Sequence, residues 1–414
     1  MSIDARPIRR LLDGTIKQTN PLSGTQVWTV PGRGHRPLGA AAGTGEPIDH
    51  DLDGRHCPFC RRRVLETPPE KARLVRTDQG FRRLDALPAT ELDLTVPFVR
   101  RVPNLFEILS LDYWQVNHGF QMPEKARARM AAYLADPLGR KHAFGIAKSR
   151  WLASGRSADE WQRADDATRR DLVENFFAGG HDVIIGPRHF ADGATTTDQL
   201  AGVASLGTEE HLAYLALTIE AMADLWQLTD AVRYVAAFQN WLRPAGASFD
   251  HLHKQVVAID EPGEAARRER MIVAANPGIY GDAVAYARTE GLVIAENEHA
   301  VAFAGYGHRF PTLEVYSKAD PHLRPWQHSP AQVAGMAELL RACHIATGDE
   351  VPSNEEWHYR PRGFSQDMPW RINLKWRIST LAGFEGGTKI NINTLSPYDV
   401  RDRALRRLGE ARSF

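Results

Sequence analysis

The sequence predicts an α+β fold in which one strand-and-helix unit occurs twice, with a run of helices inserted into the first copy. Three patterns point there. A strand at 181–189, a long amphipathic helix at 208–228, a strand at 232–238 and a histidine-bearing strand at 251–259 follow one another. The same succession returns as a strand at 310–322, a helix at 329–347 and a strand at 370–379. Between 111 and 178 the chain is charged and helix-patterned.

Length and composition bound the function. At 414 residues the chain corresponds to about two or three domains of ordinary size. With 43% hydrophobic and 25% charged residues it can bury a full core. Lys+Arg and Asp+Glu stand at 51 each, so the overall charge offers no attraction to nucleic acid or a membrane surface. The longest apolar stretch, 212–226, is interrupted by Glu220 and Asp224, and residues 1–15 lack an apolar secretory core. Three cysteines, two of them in a CxxC, do not form a disulfide framework. The expectation is a cytoplasmic protein with no nucleic-acid or membrane partner.

Taken in order, residues 19–37 read as a turn at Asn20-Pro21, a strand at 26–30 and a glycine-rich basic loop. Arg33 and Arg36 lie in that loop, where guanidinium forks suit phosphate. Cys57-Pro58-Phe59-Cys60 is either a redox pair or half a metal site. Its flanks lack a thioredoxin-like pattern, and His189, His251 and Cys343 are the available further ligands. Residues 95–109 contain one strand ending at Pro103-Asn104. The glycines Gly179 and Gly180 end the helical stretch, and His189 lies just past the following strand.

The 208–228 helix has apolar residues at i, i+3, i+4 and i+7. Then comes the stretch at 240–260, NWLRPAGASFDHLHKQVVAID. A small-residue loop with Gly246 and Ser248 leads into His251, His253 and Gln255, spaced to share one face of a strand. Two imidazoles and an amide in a row can bind a metal, hold a phosphate or attack one. In the second unit Ser329-Pro330 supplies an N-cap and first helical residue, and Cys343 falls inside the helix as a core residue. The tail shows a glycine-rich turn and a closing helix.

Five stretches in order, NPLSGTQVWTVPGRGHRP, CPFC, GHDVIIGPRH, FQNWLRPAGASFDHLHKQ and LAGFE, resemble the galactose-1-phosphate uridylyltransferase branch of the histidine-triad superfamily. The resemblance implies two tandem histidine-triad-like halves, residues 1–265 and 266–414, each an antiparallel sheet with packed helices. The first would carry the zinc site, the HLHKQ motif and the insertion; the second would lack the catalytic motif. It implies transfer of a nucleoside monophosphate from a nucleotide sugar to a sugar phosphate through a nucleotidyl-histidine, and a homodimer.

Carried over by position, His253 is the nucleophile, neutral at its ordinary pKa of about 6.5. Gln255 stands where histidine-triad hydrolases usually hold a third histidine. An amide can donate to phosphoryl oxygens without readily passing a proton to water, so it favours transfer over hydrolysis. Ser248 and Asn240 match positions that touch the departing phosphate and support the loop with Gly246. Arg33 and Arg36 match nucleotide-phosphate arginines, and Asn104 a nucleotide contact, although the acidic neighbour of the usual motif is absent. Cys57, Cys60, His189 and His251 match the ligands of one structural zinc.

The resemblance also has limits. Some members hold a second metal on one Glu and three His. Here Glu269 and His358 fall at two of those positions, but Asn373 and Lys375 occupy the others, so a second metal is not expected. Lys375 is expected to pair with Glu269 or its neighbourhood. No residue identifies the base or the sugar. The alternatives are a phosphorylase or hydrolase of nucleotide sugars or dinucleotides, and a zinc-stabilised nucleotide-binding protein without catalysis.

Overall fold

Hairpin strands come first. The computed structural model describes residues 6–32, 45–380 and 382–411. In chain order the first elements are β1 (Ile8–Arg10), β2 (Ile16–Thr19), β3 (Gln26–Thr29), β4 (Ala72–Thr77), β5 (Gly80–Asp85) and β6 (Val99–Pro103). The helices α1 (Leu111–His118), α2 (Glu124–Ala135), α3 (Pro137–Ala153), α4 (Ala158–Arg163) and α5 (Asp166–Ala178) follow. Then come β7 (His181–Ile185), α6 (Thr208–Trp226), β8 (Tyr234–Trp241) and β9 (His253–Ile259). Next are α7 (Glu264–Ala275), α8 (Ile279–Thr289), β10 (Val293–Glu296), β11 (Ala300–Ala304) and β12 (Thr312–Ser317). The chain closes with α9 (Pro330–Thr347), β13 (Ser353–His358), β14 (Arg371–Trp376), α10 (Gly383–Thr388), β15 (Ile390–Asn393) and α11 (Pro397–Ala411).

The helical insertion spans the expected residues. Elsewhere the boundaries shift. The strand expected at 232–238 runs from Tyr234 to Trp241, and the glycine-rich turn near the end closes into α10. Gly207 caps α6: its N–H donates to Glu210 Oε2 at 3.0 Å. Ser329 caps α9 as expected, accepting from Gln332 N.

Each unit contributes an antiparallel sheet, as expected, and the two are joined edge to edge: eleven strands form one continuous antiparallel sheet, in the order β10-β11-β12-β14-β13-β8-β9-β7-β6-β4-β5. Pairing of β13 with β8 joins the units, with Asn354 opposite Asn240. Outward from that seam the two sides mirror each other. The chain order β6, β7, α6, β8, β9 on one side repeats as β11, β12, α9, β13, β14 on the other. The loops after β8 and β13 both contain Arg-Pro-x-Gly, as Arg243–Gly246 and Arg360–Gly363. Both glycines take positive φ, +90° and +84°, a region costly for residues with a Cβ. A separate four-stranded sheet, β1-β2-β3-β15, includes a parallel β15–β3 pair that ties the start of the described chain to its end.

The helices α6 and α9 pack against each other and against the strands flanking the seam. On this covered side Lys254 Nζ reaches Glu355 Oε1 at 2.5 Å and Gln239 Oε1 at 3.2 Å. Glu355 Oε2 meets His344 Nε2 of α9 at 2.8 Å. Cys343 is fully buried among the same helices, as a core residue should be. No helix among the described residues is long and apolar enough to cross a membrane.

The insertion docks through buried polar contacts. His142 of α3 accepts from Tyr133 Oη at Nδ1 (2.7 Å), so its Nε2–H donates to Thr67 O at 2.8 Å. Glu107, in the loop between β6 and α1, receives Asn175 Nδ2 of α5 at Oε2, while its Oε1 has no partner. Burial pushes the Glu107 carboxyl up to about 7. The folded state therefore holds a proton that the unfolded chain releases near 4.5, and this contribution to stability is present below pH 4.5 and lost by about pH 7. Glu107→Gln, which stays neutral, is expected to match the parent at pH 4.5 and exceed it at pH 8 by on the order of 3 kcal/mol. Thermal unfolding at the two pH values checks the sign.

Candidate active site and metal centre

The Cys57–Cys60 turn is tight, with Cys60 N donating to Cys57 O at 3.0 Å. It faces His189, in the loop beyond β7, and His251, just ahead of β9. Cys57 Sγ lies 3.8 Å from Cys60 Sγ and 3.7 Å from His251 Nδ1. Cys60 Sγ lies 3.6 Å from His189 Nδ1 and 3.8 Å from His251 Nδ1. A tetrahedral cation with bonds of about 2.3 Å to sulfur and 2.0–2.1 Å to nitrogen has ligand edges of about 3.4–3.8 Å. The four donors, all within 4.8 Å of one another, fit such an ion.

The surroundings prepare the ligands. His251 Nε2–H donates to Gly186 O at 3.0 Å, which leaves the Nδ1 lone pair for a metal. The hydrogen bond from Cys57 holds the Cys60 thiol far below its ordinary value, and the same bond raises Cys57. Phe59, between the cysteines, packs its ring 5.2 Å from the His253 ring and 4.4 Å from Phe249. The turn that offers the sulfurs therefore also builds one wall around His253.

His253 opens β9, so His251 sits before the strand rather than on it. Nδ1 of His253 donates to the His251 carbonyl at 2.8 Å, because a carbonyl can only accept. The lone pair is therefore on Nε2. That nitrogen makes no hydrogen bond among the described residues and is not one of the polar atoms sealed from solvent, although the residue is only 5% exposed. Burial pushes the imidazole below its ordinary value, so it is neutral at pH 7.

Two residues on, Gln255 has its amide oxygen held twice. Asn104 Nδ2 donates to Oε1 at 3.2 Å, and His181 Nε2 approaches it at 3.0 Å. Ile108 N–H donates to His181 Nδ1, so the His181 Nε2 carries the proton given to Gln255. Burial keeps His181 neutral, with its pKa pushed down to about 4. With its oxygen occupied, Gln255 has its NH2 free of protein acceptors among the described residues. The motif reading passes over His181. Its signal was the strand period: it shares a face of β7 with Val183, the direct partner of Gln255.

Asn240 Oδ1 accepts from Asn354 Nδ2 at 2.7 Å, and the same Nδ2 donates to Ala245 O at 2.8 Å. A residue of the second unit thus props the loop that carries Gly246 and the exposed Ser248. Leu242 starts this loop at φ +65°, an uncommon conformation for a branched residue. Arg33 and Arg36 lie outside the described residues.

The positions of the second metal are brought together around a cavity, but in a different chemical state. Lys375 pairs with Glu356 at 2.5 Å, in the neighbourhood of Glu269 as expected but not with Glu269 itself. Glu269 is taken by Arg371 Nη2 at 2.7 Å and by the Tyr280 hydroxyl. With both oxygens of Glu269 engaged and an ammonium in the cluster, these residues do not fit a dication.

Residues 11–414 match a family model described as "Domain of unknown function (DUF4921)". An ADP-glucose phosphorylase from Arabidopsis thaliana is 24% identical over 237 residues, which cover 54% of this chain and 63% of that relative. The crystal structure of an Arabidopsis thaliana ADP-glucose phosphorylase with bound ADP-glucose superposes with a TM-score of 0.59 at 17% identity, covering 94% of this chain and 98% of that one. An X-ray structure of a GALT-like protein from the same plant gives 0.58 and 17%, with the same coverage. The chain has the fold of the galactose-1-phosphate uridylyltransferase-like proteins and belongs to the DUF4921 family, a domain of unknown function.

Proposed function

We propose that this chain moves a nucleoside monophosphate from a nucleotide sugar to a sugar 1-phosphate through a covalent intermediate on His253. One observation carries the reading: the Nδ1 bond to the His251 carbonyl leaves a neutral Nε2 lone pair beside an amide whose oxygen is already engaged. Nε2 attacks the α-phosphorus. A P–N bond forms, the bridging P–O bond breaks, and the sugar 1-phosphate leaves with the electron pair. A phosphate oxygen of the acceptor then attacks the same phosphorus and expels the imidazole. Both leaving groups are weak bases, so donors to the phosphoryl oxygens matter more than a strong general acid.

The Gln255 NH2 is such a donor, held in place by Asn104 and His181. Ser248 would contact the departing phosphate from the loop braced by Asn240 and Gly246, and Arg33 and Arg36 would bind nucleotide phosphate. We read the Cys57, Cys60, His189 and His251 group as one structural zinc site, since two thiolates and two imidazoles closing a tetrahedron suit that ion. The ion would hold the turn bearing Phe59 against the strand bearing His253. Division into halves at 265/266 and a homodimer are part of the same reading; that boundary falls inside α7.

A second reading, with inorganic phosphate as acceptor, is favoured by the relative named ADP-glucose phosphorylase. It differs only in what attacks the intermediate.

Incubation with UDP-glucose or ADP-glucose labelled at the α-phosphate is expected to leave acid-labile label on the protein, absent from His253→Asn. Discharge by a sugar 1-phosphate supports transfer and discharge by inorganic phosphate supports phosphorolysis. No label with any nucleotide sugar favours a binding protein. Turnover of His253→Asn should fall by about 10³-fold or more.

Gln255→His is expected to shift the intermediate toward hydrolysis, read as free nucleoside monophosphate released per transfer event. An unchanged ratio would remove Gln255 from that role.

Elemental analysis should find one zinc per chain, lost in Cys60→Ser. Structural zinc contributes about 10–16 kcal/mol in small peptides. Its removal is therefore expected to lower Tm by several degrees and expose amides 56–61 and 249–253 to hydrogen exchange. Full activity after verified removal would sink the coupling.

A further inference from the structure

The cavity that the second unit forms with residues 20–25, about 410 Å³, is the place where the molecule departs furthest from the metal chemistry its position implies. Five formal cations line it, Arg268, Arg309, Arg371, Lys375 and Arg377, against three carboxylates, Glu269, Glu314 and Glu356. The carboxylates are already satisfied: Glu269 by Arg371, Glu356 by Lys375, and Glu314 by His308 at 2.8 Å and Tyr316 at 3.0 Å. Three of the five cations are not. Among the described residues Arg268, Arg309 and Arg377 have no carboxylate within salt-bridge distance.

Two features make this a built site. Arg371, only 4% exposed, belongs to the cavity lining, and its Nε and Nη1, sealed from solvent with the cavity empty, lack any acceptor. An unpaired buried guanidinium nitrogen is costly unless something supplies the acceptor. At the same cavity Arg309 and Arg377 both lie over the Phe310 ring, 4.7 and 4.8 Å from its centre. The two guanidinium groups are near enough that Arg377 repels Arg309, with Glu385 as the one nearby attraction and no carboxylate in salt-bridge contact with either among the described residues, an arrangement that a dianion relieves. Arg377 is oriented by Asn354 Oδ1 at 2.5 Å, and its Nε has no acceptor either.

The rest of the lining suits a polyhydroxylated body. Ser23, Thr25, Asn354 and Asn373 present small polar groups, and Asn373 Oδ1 is buried without a partner. The volume falls within the range of about 300–1,000 Å³ usual for small-molecule sites.

We propose that this cavity binds a sugar phosphate, with the phosphoryl group on Arg309, Arg371 and Arg377 and the hydroxyls on the neighbouring amides and carboxylates. It is a second site, separated from His253 by the β8–β13 seam, and it does not depend on the chemistry assigned to His253.

The test uses the full-length, metal-loaded protein with glucose 1-phosphate as probe. Hydrogen exchange is expected to slow at 305–314 and 371–377, and affinity to fall at least tenfold in R309Q/R377Q at unchanged Tm. Protection confined to 246–255 would overturn the proposal, because the ligand would then occupy the His253 cleft alone. Equal affinity for inorganic phosphate would overturn the sugar-phosphate assignment. Stoichiometric uptake of a second divalent ion, with protection at 371–377, would restore the metal reading and end this one. The wild-type exchange pattern decides the matter even if the double variant does not fold.

Discussion

The alternation of side chains along β9 is the constraint on which both the core and the cleft depend. His253 and Gln255 point to one side of the sheet, while Lys254 between them points to the other and meets Glu355 in a fully buried ion pair. A slip of one residue would bury an imidazole in the apolar layer and leave Glu355 without its cation. Breaking a buried pair on one side costs about 3–5 kcal/mol. Because Glu355 belongs to β13 and Lys254 to β9, the same pair resists separation of the two units at the seam. The polar core is therefore what keeps the cleft residues in register.

The Cys57, Cys60, His189 and His251 group acts on the same strand from just ahead of its first residue. His251 is clamped between the cysteine sulfurs and the Gly186 carbonyl, and its own carbonyl orients His253. Phe59 carries the effect sideways, since the residue between the two sulfurs packs on the His253 ring. Ligand geometry, imidazole tautomer and aromatic wall are thus set together by residues drawn from three loops.

The two sides of the sheet share a path for the chain but not a charge pattern. On the first side the cleft is lined by neutral groups, His253, Gln255, Asn104 and His181. On the second, the strand that corresponds to β9 carries Arg371, Asn373 and Lys375, and the acids nearby serve them as counterions. The repeated Arg-Pro-x-Gly turns preserve the backbone while the side chains have diverged. Sequence inspection alone registers the succession of strands and helices, but the repeated turn stands out only once both loops are seen at equivalent places.

Much of the fold was legible. Hydrophobic period and capping residues marked the insertion, α6, α9 and the histidine strand, because those signals are local. The short strands β10, β11 and β13 were not legible. They carry near-continuous apolar or mixed residues whose strand identity comes from flanking partners. Likewise Cys57, Cys60, His189 and His251 could be named from motifs, but their approach to within 4.8 Å is a product of the fold.

By itself the sequence determined which residue types stand at each strand position, and so which chemistry each face can offer: a Cys2His2 set, an imidazole next to an amide, a lysine where a histidine would be needed for a metal. Only the tertiary structure decided who pairs with whom. Glu269 went to Arg371 rather than Lys375, His181 came to hold Gln255, and two expected sheets merged into one. The reason is physical: local pattern depends on neighbours a few residues away, whereas partner choice depends on distances between segments that only the packed sheet brings together.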